Sequence, residues 1–234
     1  ATGHQKDDNA ETIIQRFARG TGFRGLGGIW PVRRFGEVKF VRPLLCVGRE
    51  EIIEYLGAKG VAWCTDHTNA DCSYRRNFIR HRLMPALQKQ CSDSVPQMLM
   101  ELSRHCRRFY AMVCERADAA WTRLADCSDQ RVSLNLRHFS AEHPAVKAEL
   151  FRRALVRLGS GERDLTQRHY QAVLDLASAK SVGGKTELPG GFVTLREHNK
   201  LVFSRSGEPA LTEKAPAEAA KIEVPGQTRY GEYV

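Results

Sequence analysis

Two neighbouring carboxylates, a third one turn on and an imidazole crowd the start of the chain, in Gly3-His4-x-x-Asp7-Asp8-x-x-Glu11-Thr12. If a helix begins near Asp7, Asp8 and Glu11 are three apart and share one face. His4 then sits in the turn before them, within reach. Carboxylates and an imidazole at a helix start can hold an ammonium group, bind a cation or move a proton. The same residues also suit a plainer task, because Asp7 or Asp8 can cap the helix and favour its positive end. The small residues Ala1, Thr2 and Gly3 lean toward the functional reading, since sites in open α/β sheets lie beyond the carboxyl ends of strands.

A second cluster, Gly20-Thr-Gly-Phe-Arg-Gly-Leu-Gly-Gly28, lacks the order and the terminal Lys-Ser/Thr of a phosphate-binding P-loop. It reads either as a mobile surface loop or as a loop that contacts substrate. A third cluster runs Asp66-x-x-Asn69-x-Asp71-x-x-Tyr74-Arg75-Arg76-Asn77-x-Ile79-Arg80-His81-Arg82. Arg76 and Arg80 are one helical turn apart, and guanidiniums grouped in this way fork onto phosphates or carboxylates. A solvated basic face would look similar. Further on, Arg104, Arg107 and Arg108 add positive charge near Tyr110, which suits either an RNA backbone surface or simple solubility.

The elements that would position these groups follow from periodicity. Ile13, Ile14, Phe17 and Ala18 mark one face of a first helix that stops at Gly20. Val38–Val41 reads as a strand ended by Pro43, Arg49–Lys59 as an amphipathic helix stopped by Gly60, and Val61–Trp63 as a short strand. That order suggests the later half of an α/β domain with a parallel sheet. Leu99, Leu102, Cys106, Phe109, Val113, Ala117, Ala120 and Leu124 then form one continuous stripe on a long helix from Pro96 to Ala125. Val146, Leu150, Ala154 and Leu158 mark a second helix, and Leu165, Val173, Leu174 and Ala177 a third. Lys185–Ser204 reads as three short strands turning at Gly190-Gly191 and at His198-Asn199. Residues 206–220 are rich in Ala, Glu, Pro and Lys and read as a linker.

Composition narrows the functional classes. With 234 residues, 42% hydrophobic and 27% charged, the chain has enough apolar material for a core and is not wholly disordered. No apolar run approaches the roughly 18 residues of a membrane span, and the amino end has no basic-then-apolar leader pattern. Thirty-six Lys and Arg against 27 Asp and Glu give +9, an excess that favours a polyanionic partner. The seven cysteines are odd in number and form no C-x-x-C pair, which points to a reducing compartment. Cys64, His67 and Cys72, with His81, make a loose metal pattern, but structural zinc sites use paired short spacings, so no metal is expected.

Taken together, Gly3-His4-x-x-Asp7-Asp8-x-x-Glu11-Thr12, Arg19-Gly20-Thr21-Gly22-x-Arg24-Gly25-Leu26, Arg42-Pro43-Leu44-Leu45, Asp66-x-x-Asn69 and Arg76-Asn77-x-Ile79-Arg80-His81 resemble the tRNA(Ile)-lysidine synthetase family. These motifs fall in order within residues 1–87, and the helical part with the strands up to residue 204 resembles that family's middle domain. The resemblance implies an adenine-nucleotide α-hydrolase-like fold of the PP-loop class and a cytoplasmic enzyme. It implies a reaction in which ATP, with magnesium, adenylates the C2 oxygen of the wobble cytidine in a CAU-anticodon isoleucine tRNA. Free lysine then attacks C2, AMP leaves, and lysidine is formed.

Residue by residue, the resemblance implies that His4, Asp8 and Glu11 are catalytic, with Asp8 and Glu11 near the lysine ammonium. It places Asp7, Arg76, Asn77 and Arg80 as substrate-binding, Arg76 as a partner for lysine or the activated intermediate. Arg24, Arg104, Arg107 and Arg108 are the RNA-binding candidates. Expected domains are 1–90 (the carboxyl-terminal part of the PP-loop domain), 91–205 (a helical middle domain ending in a small antiparallel sheet) and 206–234 (a linker and the start of a further domain). The family's Ser-Gly-Gly-x-Asp-Ser loop and carboxyl-terminal tRNA-binding domain do not occur in the sequence, so the expectation is a fragment, inactive alone. No membrane partner is expected, and a homodimer is compatible. Two rival readings are a related PP-loop tRNA thiolase, against which the scattered cysteines argue, and a non-catalytic RNA-binding module.

Overall fold

In the computed structural model, which describes residues 1–35, 37–64, 71–160, 165–179 and 181–207, helix α1 (Lys6–Ala18) opens the chain. Its cap is neither aspartate. Gln5 occupies the N-cap, accepting from the Asp7 amide at 2.6 Å, while the Gln5 amide donates to Asp8 Oδ2 at 3.0 Å, a reciprocal capping box. A single turn, α2 (Phe23–Leu26), follows. The chain then forms a hairpin of β1 (Val32–Phe35) and β2 (Val38–Val41), paired antiparallel with Val32 opposite Val41.

Here the expectation of a parallel sheet meets a different outcome. The strand over Val38–Val41 is present, but its partner is the adjacent segment, and every strand pair among the described residues is antiparallel. Val61–Trp63 joins no sheet. Three residues, one of them the poor strand former Ala62, are too few to decide their own pairing, which long-range neighbours settle. After a 3₁₀ turn at Pro43–Cys46 comes α3 (Arg49–Ala58), where Glu51 Oε2 accepts from the Gly48 amide at 2.7 Å. Asp66, His67 and Asn69 lie outside the described residues.

Helix α4 (Arg75–Phe78) runs through a π-helical segment, Ile79–Leu83, into α5 (Met84–Gln90). The Met84 amide donates to Ile79 O, five residues back. Pro85, which has no N–H to offer the ladder, lies just beyond this widened turn.

The 30-residue α6 (Val95–Leu124) is about 45 Å long at ~1.5 Å per residue. Its expected stripe holds in the second half, where Val113, Ala117, Ala120 and Leu124 are buried. In the first half the buried track passes through Ser103 and Cys106, leaving Leu102 and Phe109 exposed. Ser103 is accommodated because its hydroxyl donates to Gly27 O at 2.8 Å.

The remaining chain builds a five-stranded antiparallel sheet in the order β3 (Ala125–Cys127), β4 (Arg131–Asn135), β7 (Lys200–Arg205), β6 (Phe192–Arg196), β5 (Lys185–Leu188). The β5–β6 turn uses Gly190 and Gly191, at φ of 80° and 75°, a region open mainly to glycine. β3 and β4 were not anticipated. They are short, and β4 gains its place by pairing with β7, with Leu134 opposite Leu201. Helix α7 (Leu136–Ala141), α8 (Pro144–Arg157) and α9 (Gln167–Ser178) complete this unit. Phe151 of α8 packs on Phe203 and edge-on to Tyr170, closing a core with Leu150, Leu155 and Leu201.

Glu149 of α8 is a buried carboxylate within that unit, accepting from Tyr110 Oη at 2.6 Å and from both Arg152 and Arg153. Burial by itself raises its pKa, but the arginine and tyrosine hydrogen bonds prevail and hold it below the ordinary value. A depressed carboxylate stabilises the fold above its unfolded-state pKa and loses that contribution as pH falls through the folded value. Glu149→Gln is expected to cost ~1.5–3 kcal/mol near neutral pH. The gap from the parent protein should narrow as pH drops below 4.5, the ordinary value from which Glu149 is lowered. Denaturant melts across a pH series measure this, and a gap constant down to full acid unfolding would contradict it.

Candidate functional site

Helix α1 packs against both α4 and the π-helical segment that continues it. Arg76 Nε donates to Glu11 Oε2 at 2.8 Å and its Nη2 to Asp8 Oδ1 at 2.8 Å. Arg80 Nε donates to Glu11 Oε1 at 2.6 Å, and its Nη2 reaches Asp8 Oδ1 at 3.1 Å and Glu11 Oε2 at 3.2 Å. The three-residue spacing on α1 and the four-residue spacing from Arg76 on α4 to Arg80 in the π-helical segment thus bring together two carboxylates and two guanidiniums of balanced charge. The Glu11 side chain is 4% exposed and that of Asp8 15%, against 22% for Arg80 and 45% for Arg76. Burial would lower the pKa of Arg80, but Glu11 and then Asp8 and Asp7 outweigh it and raise the value.

Asp8, Arg76 and Arg80 line a cleft of about 480 Å³. Gly3, Gln5, Arg49 and Asn77 add polar edges, and the apolar wall comes from Leu44, Ile52, Ile53, Leu56 and Trp63. Arg49, Trp63 and the α3 isoleucines did not stand out in the sequence. A helix described only as amphipathic gives no sign that its apolar face borders a cleft. Asn77 donates to Asp71 O at 2.8 Å, so it ties the start of α4 to the turn before it.

Two expected members are employed differently. Asp7 turns away from the quartet, its Oδ2 accepting from the Arg49 amide at 2.9 Å and so capping α3. His4 shares a hydrogen bond with Thr2 Oγ1 at 2.9 Å rather than with Asp8 or Glu11. Among the described residues the imidazole makes no hydrogen bond to either carboxylate.

The glycine-rich loop is anchored rather than mobile. Arg16 of α1 donates to Gly25 O and Gly28 O at 3.1 and 2.8 Å, and Arg107 of α6 donates to Gly27 O and Ile29 O, both at 2.7 Å. Arg107 also stacks over Trp30. Its side chain faces the loop, where a guanidinium can satisfy several carbonyls while its stem packs. Burial lowers its pKa, with Arg104 adding to the effect. Arg104 and Arg108 are exposed, and Arg24 lies over the Tyr110 ring.

Among the described residues, no group of three or more His, Cys, Asp or Glu is placed to hold a metal ion. Asp8 and Glu11 face guanidiniums, a poor ligand set for magnesium. All seven cysteines are free. No described helix is long and apolar enough to cross a membrane.

Comparison with known proteins bears on this geometry. Residues 1–87, which carry the whole quartet, match a PP-loop domain model, and residues 134–202 match the TilS substrate binding domain. A tRNA(Ile)-lysidine synthase from Solibacter usitatus (strain Ellin6076) is 35% identical over 190 residues, 81% of this chain and 42% of that protein. The chain belongs to the tRNA(Ile)-lysidine synthase family. A second family member, from Symbiobacterium thermophilum (strain DSM 24528 / JCM 14929 / IAM 14863 / T), is 32% identical over 236 residues, 97% of this chain and 49% of its own length. A third, from Chlorobaculum tepidum (strain ATCC 49652 / DSM 12025 / NBRC 103806 / TLS), reaches 43% over 105 residues, 45% of this chain and 30% of its own. The chain thus spans less than half the length of the curated synthases it matches. The synthase match to the substrate binding domain begins at β4 and ends within β7, so it covers the core of the five-stranded sheet.

Proposed function

We propose that the chain supplies the lysine-holding part of a tRNA(Ile)-lysidine synthase, which ligates lysine to C2 of the wobble cytidine in a CAU anticodon at the expense of ATP. The observation that carries this reading is the Asp8 and Glu11 carboxylates held side by side by Arg76 and Arg80, with Asp8 lining a cleft whose wall also includes Ile52, Ile53 and Leu56 of α3. A cation site beside an apolar wall matches the two halves of a lysine side chain. ATP is the co-substrate that membership of the PP-loop class implies. In the reaction, adenylation of the C2 oxygen releases pyrophosphate. The amine nitrogen then bonds to C2 as the C2–O bond to AMP breaks, and the nitrogen sheds its protons. An amine with pKa ~10.4 must be deprotonated before it attacks, and carboxylates beside it orient it and accept that proton.

The test uses the protein that carries this chain, with labelled lysine, ATP and a CAU-anticodon tRNA transcript. The expected result is ATP-dependent label at the wobble base, with one AMP released per lysine. Equal labelling of a transcript with uridine at that base, or none of either, overturns the proposal.

The exposed arginines give a separate expectation. Arg104→Ala and Arg108→Ala should each weaken tRNA binding and flatten its log–log salt slope by about one. Arg107→Ala should leave the slope intact and lower thermal stability, because it frees two loop carbonyls. Filter binding across a salt series, paired with melts, separates the two classes. Identical behaviour of all three variants would return Arg107 to the surface.

A further inference from the structure

The two guanidiniums of the quartet are not equivalent, and the difference lies in which oxygens each one holds. Asp8 Oδ2 is committed to the Gln5 amide and Glu11 Oε1 to Arg80 Nε. The two oxygens left, Asp8 Oδ1 and Glu11 Oε2, are the ones that Arg76 spans at 2.8 Å each. Arg80 touches both from the side at 3.1 and 3.2 Å. An incoming ammonium needs this same pair of oxygens. Adding it to an occupied quartet would leave an uncompensated positive charge in a partly buried site. Exchange keeps the charge constant. Arg76 is nearly half exposed, so returning its guanidinium to water costs little, whereas removing Arg80 would strand the buried Glu11.

We propose that Arg76 is the site's exchangeable counter-ion and Arg80 its fixed positioning residue. A ligand's ammonium replaces Arg76 on Asp8 Oδ1 and Glu11 Oε2 while Arg80 keeps Glu11 in place. This rests on the lysine reading and adds a selection rule to it. The displaced guanidinium remains in the cleft, where it can fork onto a carboxylate. A ligand bearing both ammonium and carboxylate recovers the lost contact. A simple amine does not.

The test is calorimetric binding of lysine and of pentylamine, which has the ammonium and the stem but no carboxylate, to the protein that carries this chain. The parent should bind lysine and bind pentylamine at least tenfold more weakly. In Arg76→Gln, pentylamine should bind about tenfold tighter because its competitor is gone, and lysine about tenfold more weakly because the fork is lost. In Arg80→Gln both ligands should weaken, with Arg80→Lys restoring part of the loss. A folding defect in either variant would weaken both ligands and tighten neither, so the gain for pentylamine in Arg76→Gln decides the question. If lysine binds the parent but Arg76→Gln weakens pentylamine, the exchange proposal fails and the lysine reading stands. If lysine binds no form of the protein, both fail.

Discussion

Glu11→Gln should raise the KM for lysine about tenfold or more in the protein that carries this chain, while leaving the KM for ATP close to its parent value. The substitution keeps shape and removes charge. Loss of a charge-assisted contact costs ~1.5–3 kcal/mol, and ~1.4 kcal/mol is a factor of ten. Arg76 loses the same partner, which offsets some of the penalty and places the result toward the lower end. The amide must also turn an NH₂ or an oxygen toward each guanidinium, and Arg80 Nε, now 2.6 Å from Glu11 Oε1, faces a donor in one of the two orientations. A drop in thermal stability should therefore accompany the kinetic change. Steady-state lysine and ATP titrations decide the matter. A stability loss with unchanged lysine kinetics would make Glu11 an anchor for α4 and nothing more.

The second large effect is structural. Gly28 sits at φ +65°, and a Cβ there would fall inside contact distance of Asn9 Oδ1 and 3.0 Å from Ile13 Cγ1. Asn9 is fully buried, its Oδ1 accepting from the Ile29 amide at 2.6 Å and its Nδ2 donating to Met100 Sδ at 3.5 Å. Gly28→Ala combines the cost of a left-handed backbone for alanine, ~1–2 kcal/mol, with a disturbed buried hydrogen bond worth ~1–3 kcal/mol. The expected loss is ~2–5 kcal/mol, a fall in Tm of roughly 5–20 °C for a chain of this size. Gly57→Ala provides the contrast. It lies inside α3 with open space around its missing Cβ, so alanine should add ~0.5–1 kcal/mol. Melts of both variants, showing the same sign of change, would contradict this account of the loop.

What is legible in the sequence follows the range of the interactions. The α6 stripe from Val113 to Leu124, the turns at Gly190-Gly191 and His198-Asn199 and the shared face of Asp8 and Glu11 are legible, because each depends on neighbours within a few residues. The meeting of Asp8 and Glu11 with Arg76 and Arg80 is not, since it spans 65 to 72 positions along the chain. Charge alone left those arginines suited to a ligand or to solvent. Arg107 and Ser103 carry the same limit. Both are polar residues turned inward, and what makes that tolerable is a carbonyl supplied by a distant loop. The β3–β4 hairpin escaped notice because strands of three and five residues carry little periodic signal. Asp7 shows a subtler limit. Its chemistry as a cap was recognised, but the helix it caps is α3 rather than its own.

Helix α6 is also held very unequally along its length. Its carboxyl-terminal half is gripped by the main hydrophobic core through Val113, Ala117, Ala120 and Leu124. Its amino-terminal half packs on α1 and α2, with Cys106 buried and Phe109 against Phe23, and adds directional bonds from Ser103 and Arg107 to the carbonyls of Gly27 and Ile29. In mechanical terms it is a propped beam: a rod embedded at one end and pinned near the other. Apolar packing yields gradually under load, whereas hydrogen bonds give way over a fraction of an ångström. Strain applied from the cleft side is therefore released first at the pins, before it reaches the embedded end. Amide exchange should grade along the one helix, fastest before Ser103 and slowest between Val113 and Leu124.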